Sequence, residues 1–155
     1  MTFVVTGLSP AQFAPLFGAD EATLAAAGAI RYRADTRPGF PCRITLEDAE
    51  PGETLLLLNY EHQAADTPYR ARHAIFVREG AAAPARFENR LPAMLTDRLL
   101  AVRAFDAADM MTDAEVVEGQ EARALVERML DDPRTAYLHV HAARRGCFLA
   151  RIDRI

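Results

Sequence analysis

The sequence predicts an α+β fold: one domain over residues 1–155 with a mainly antiparallel β-sheet of roughly six to eight strands. Two short N-terminal helices, one amphipathic helix near the C-terminus and a closing β-hairpin complete it. Three observations carry this prediction. Short segments such as "AIRYRAD" and "CRITL" alternate apolar and polar residues, the period of a strand. One segment, "QEARALVERMLDD" (120–132), has a clear helical period, with Ala122, Leu125, Val126, Met129 and Leu130 on one face. Turn-rich stretches, "TRPGFP" and "EDAEPGE", separate the strands.

In chain order, "FVVT" (3–6) reads as a strand. "SPAQFAPLFG" reads as a short helix with Ser9 as N-cap, Pro10 at the first helical position and Gln12 completing a capping box; Pro15 ends or distorts it. Asp20 caps a second helix through "EATLAAAG", which Gly28 stops. In the strand 29–35, alternation turns Ile30 and Tyr32 inward and Arg31 and Arg33 outward. "CRITL" (42–46) is the next strand. "TLLLLNY" (54–60) is a continuous apolar run suited to a central strand, and "EHQAADTP" (61–68) is a polar loop. "YRARHAIFV" (69–77) returns as a strand and "REGAAAPAR" (78–86) connects. A helical turn opens 91–100 and runs into the strand "LLAVRAF" (99–105), with a weaker strand at 114–119. After the helix at 120–132, Pro133 marks its end, and "AYLHVHAA" (136–143) and "CFLARI" (147–152) pair around "RRG".

Composition narrows the function classes. The chain is long enough to bury one substantial core, and half of its residues are hydrophobic. A net charge of −4 argues against a general nucleic-acid binder. No apolar stretch approaches a membrane span, and "MTFVVTGLSPAQF" lacks the basic and apolar regions of a signal peptide. Two cysteines without export signals suggest reduced thiols in a cytoplasm. All 18 basic residues are Arg. Beside so many Ala this reads as the coding bias of a GC-rich genome; the functional alternative is a preference for anions, which the guanidinium fork suits. No phosphate-binding loop, nucleophile elbow, metalloprotease or dinucleotide signature occurs.

Chemistry concentrates in three stretches. In "HVHAARRGC" (139–147), strand alternation puts His139 and His141 on one face. A two-residue turn on Arg144 and Arg145 needs positive φ at both, whereas a three-residue loop Arg144–Arg145–Gly146 needs it only at glycine. That loop aligns Ala143 with Cys147 and His141 with Leu149, so His139, His141 and Cys147 share a face. Two imidazoles and a thiolate are the start of a site for zinc or another transition metal, with His62, His73 or Cys42 as further ligand. The plain alternative is ordinary strand residues beside a core of Leu138, Val140 and Phe148. In "GFPCR", Cys42 at the mouth of a strand is a candidate nucleophile with His141 as a catalytic partner, and Arg43 a candidate anion ligand; the alternative is a small buried hydrophobe. In "DTPYRARH", Tyr69, Arg70, Arg72 and His73 offer a pocket or an anion grip, or simply a solvated face. Arg103 joins Arg43, Tyr69 and Arg70 as a ligand-binding candidate.

Three longer pieces together, "PGFPCRITLEDAEPGETLLLLNYEH" (38–62), "TPYRARHAIFVRE" (67–79) and "HVHAARRGCFLARI" (139–152), resemble a family of small bacterial proteins, domain-of-unknown-function family 1203. The resemblance extends to "LAVRAFD" (100–106). It implies a bacterial cytoplasmic domain and no mechanism, and it carries over no catalytic residue. Cys42, Tyr69, Arg103, His141 and Cys147 lie within these pieces. The functional expectation is therefore a small-ligand-binding domain with a Cys/His site, metal-assisted or thiol-dependent on a small polar or anionic ligand. The alternatives are a non-catalytic anion-binding module or a homodimer formed through a sheet edge or the helix at 120–132.

Overall fold

The computed structural model describes residues 2–155. Among these residues, eleven strands form two sheets. The first is antiparallel throughout, in the order β7 (Arg86–Glu88), β1 (Phe3–Thr6), β11 (Phe148–Arg154), β10 (Tyr137–Ala142), β8 (Leu99–Phe105), β9 (Met111–Glu118). The second runs β2 (Ile30–Arg33), β5 (Thr54–Gln63), β6 (Ala71–Arg78), β3 (Pro41–Cys42), β4 (Glu47–Asp48), antiparallel except where β3 meets β6.

Each sheet carries its own apolar cluster. One face of the first sheet presents Leu100, Val102, Leu138, Val140, Ala150 and Ile152 to α3 (Ala122–Asp131), which returns Leu125, Val126, Met129 and Leu130. The helix forms because its apolar residues fall on a single stripe and can be buried together. One face of the second sheet packs Cys42, Leu56, Leu58, Ile75 and Val77 against Phe13 and Leu24, the latter from α1 (Glu21–Ala26). Asp20 caps α1 by accepting a hydrogen bond from the Thr23 amide.

Several sequence expectations change here. The first N-terminal helix is two 3₁₀ turns, Pro10–Gln12 and Ala14–Leu16, because Pro15 cannot donate into a continuous helix. The alternation of β2 is not kept: Arg33 is exposed as expected, but Ile30 and Tyr32 are also 55% and 39% exposed, while Arg31 lies under Glu79, Glu21 and the Ala19 carbonyl. As an edge strand, β2 has α1 on its arginine side, so the ion pairs cover Arg31 instead of apolar packing covering Ile30. The stretch 42–46 is a strand only through Cys42; then the chain turns, with the Leu46 amide bonded back to the Cys42 carbonyl. The backbone groups of this turn are met by other loops: Leu8 donates to the Arg43 carbonyl and Ala85 to that of Ile44. Finally, β5 does not stop at Tyr60. It continues to Gln63 across an irregularity in its pairing with β6, and so carries His62 onto the first sheet.

Candidate functional site

The face of the first sheet opposite α3 holds Tyr137, His139 and His141 from β10, with Arg103 and Phe105 opposite them on β8. The end of β5 lies across it. His62 stacks on Phe148, with ring centroids 5.7 Å apart and planes at 9°, and sits 4.9 Å from His141 and 6.3 Å from His139. Gln63 donates to the Tyr137 hydroxyl at 2.8 Å, and that hydroxyl donates to Asp109 at 2.6 Å. Burial and the Asp109 hydrogen bond push the Tyr137 phenol up to about 12.

His139 and His141 are 4% and 1% exposed. Burial pushes both down to about 3, and His62 to about 4. The Arg103 charge acts on all three in the same direction, and His73 acts on His62 and His141. All four histidines of the chain are thus gathered in one region. His141 Nδ1 faces the Gly146 carbonyl at 2.9 Å, so it carries the proton and Nε2 keeps its lone pair. That Nε2, His139 Nδ1 and His62 Nδ1 are buried without a hydrogen-bond partner.

The pairing of β10 with β11 decides where Cys147 goes. Val140 is opposite Ala150, but His141 is opposite Phe148 rather than the expected Leu149. One extra residue is accommodated in β11, so Leu149 and Ala150 both reach the first core. Phe148 turns onto the histidine face, where it meets His62, His139 and His141. Cys147, next in alternation, is delivered to the other side. The turn is therefore Ala143–Gly146, closed by the Gly146 amide on the Ala142 carbonyl with Gly146 at φ +80°. The expected His139–His141–Cys147 face does not form. Among the described residues no three His, Cys, Asp or Glu side chains stand where one metal ion would reach them all.

Cys147 lines a cavity of about 530 Å³ with Arg43, Arg145, His73, Tyr32, Phe40 and Phe76. No Asp or Glu lines it. Arg43 is 2% exposed; its Nε donates to the Phe148 carbonyl at 2.7 Å and Nη1 to the Pro41 carbonyl at 2.6 Å. Among the described residues no carboxylate pairs with it, whereas Arg70 and Arg72 both meet Glu61. Burial pushes the Arg43 guanidinium down, opposed chiefly by the neighbouring Cys147 thiol.

The remaining candidates separate. Cys42 is 0% exposed and accepts hydrogen bonds from the Thr45 and Arg78 amides, so it is a core residue and not a cleft nucleophile; alternation along 41–43 turns it inward and Arg43 toward the cavity. Tyr69 is exposed and packs edge-on against Phe105. Both cysteines are free. The Tyr137–Asp109–Gln63 network had no counterpart in the sequence reading. Its β5 member, Gln63, lies in the polar half of that strand, where the alternation of Tyr60 and His62 is the one trace in the sequence that the strand continues.

The fold and the site define a two-sheet α+β protein with a neutral imidazole cluster between its sheets and an acid-free cavity beside it. The chain belongs to the family described as Protein of unknown function (DUF1203), whose sequence profile matches residues 39–154. The matched span includes Arg43, all four histidines and Cys147. No curated protein and no solved structure matches the chain.

Proposed function

We propose that this protein is a small-ligand-binding domain whose ligand is a small anion with an apolar body, seated in the 530 Å³ cavity with its charge on Arg43. The observation that carries this reading is a guanidinium 2% exposed at a cavity without a single carboxylate. Taking a charge out of water costs several kcal/mol, and carbonyl dipoles offset only part of it; an anion offsets the rest. Two of a guanidinium's five N–H groups are used by the Phe148 and Pro41 carbonyls, which fix its direction and leave donors over. Tyr32, Phe40 and Phe76 offer apolar surface for the body of the ligand, and the volume falls in the ordinary range for small-molecule sites. Arg145 and His73 add positive or proton-donating character to the wall. The free thiols fit a reducing, cytoplasmic setting.

Thermal melting tests the proposal, because a ligand that binds only the folded state raises Tm. Phosphate, acetate, benzoate and phenylacetate should be compared with chloride at matched ionic strength. Apolar carboxylates are expected to raise Tm above the chloride control, and Arg43→Gln to abolish the increment. If every anion behaves as chloride does, the proposal fails.

A further inference from the structure

Resting on that reading, we infer that Cys147 is the nucleophile of the cavity, placed to bond covalently with an electrophilic carbon carried by an anion that Arg43 holds. Three features of the structure lead there. Cys147 is 8% exposed and what it reaches is the cavity. Arg43 is tied to the carbonyl of the very next residue, Phe148, so guanidinium and thiol are held in one frame. The irregularity in β11 and the positive φ of Gly146 together turn the thiol away from the histidines and toward that guanidinium. The sulfur and the guanidinium that would hold the anion line the same cavity wall, so the charge and the reactive carbon of one small molecule can meet them together. No carboxylate on the cavity wall competes for Arg43 or repels an incoming anion. Cys42 is the natural internal control, since its sulfur is fully enclosed.

The substrate class follows: a small carboxylate or phosphate whose reactive carbon lies a bond or two from its charge. Iodoacetate has this form. The sulfur electron pair forms a C–S bond to the methylene carbon, the C–I bond breaks, iodide leaves with the bonding pair, and the thiol proton passes to buffer. Iodoacetamide presents the same carbon without the charge, so the ratio of the two rates isolates recognition of the anion.

The experiment measures alkylation of the native, reduced protein by each reagent, with peptide mass mapping to assign the cysteine and glutathione as the reference thiol. The expected iodoacetate-to-iodoacetamide ratio at Cys147 exceeds that of glutathione by roughly tenfold, the discrimination that about 1.4 kcal/mol supplies. Benzoate is expected to slow the iodoacetate reaction, and Cys42 to remain unmodified. Arg43→Gln should return the ratio to that of glutathione; if that variant does not fold, protection by benzoate in the wild type decides the matter. An unreactive Cys147, or one with the glutathione ratio, overturns the inference. Carboxylates that raise Tm while Cys147 shows the glutathione ratio would leave the anion site standing and remove only the nucleophile. Absence of both responses removes both.

Discussion

Arg43 and Arg31 show how little residue type says about role. Both are partly or wholly covered arginines, Arg31 within β2 and Arg43 just after β3, yet Arg31 is neutralised by Glu79 and Glu21 while Arg43 faces two carbonyls and an open cavity. In a chain whose basic residues are all Arg, the sequence offers no mark that separates them. What places Arg43 is a close approach of backbones. Gly7 packs so tightly on the turn after Cys42 that a Cβ at its position would lie 2.0 Å from the Ile44 carbonyl oxygen. Gly7→Ala must push this turn outward. It is expected to cost about 1–3 kcal/mol, the usual range for overpacking, measured by urea denaturation. A Gly7→Ala protein of wild-type stability would show that the turn yields freely and does not fix Arg43.

At the scale of elements, α3 was legible because its signal is local and periodic. Leu130 is fully buried on the stripe that packs against the first sheet, and Leu130→Ala should cost about 2–5 kcal/mol. Arg123, on the exposed side, is paired to Glu127 one turn on, and Arg123→Ala should cost about 0.5 kcal/mol or less. Equal losses in the two variants would contradict the assignment of faces. Strand β5 shows the opposite case. Its apolar half announced a strand, but the half that carries His62 and Gln63 is polar and reads as a loop, since its partners, Phe148 and the Tyr137 hydroxyl, lie on another sheet. The β10–β11 pair is intermediate: Gly146 marked a turn with positive φ, and His139 and His141 do share a face. The register beyond Val140 depends on where the extra residue is absorbed, and local propensity does not specify that.

For the whole molecule, the buried imidazoles link stability to pH. An unfolded histidine titrates near 6.5, whereas His139 and His141 titrate near 3 in the folded protein. Between these values the unfolded chain binds more protons, so stability is full above about pH 6.5 and declines as pH falls toward 3. The slope contributed by each is at most about 1.4 kcal/mol per pH unit. Lowering pH from 7 to 5 should therefore reduce the urea midpoint, before carboxylates begin to titrate appreciably. The His139→Gln, His141→Gln double variant should lose much of this dependence. A wild-type midpoint that stays constant from pH 7 to 5 would mean that the imidazoles are not buried neutral groups.

By itself the sequence determined the class of fold, the amphipathic helix and the pairing of the two histidines on one strand face. Each of these rests on a period of two or 3.6 residues that side chains must obey wherever one side is buried. Only the tertiary structure decided that Cys42 is core, that Cys147 parts from the histidines, and that His62 joins them. It also decided that Arg43, alone among the site arginines named from sequence, is enclosed at a cavity without a counter-charge. These outcomes depend on the strand irregularity between β10 and β11, on the contact of Gly7 with Ile44 and on the meeting of His62 with His141 across two sheets, none of which a local period encodes.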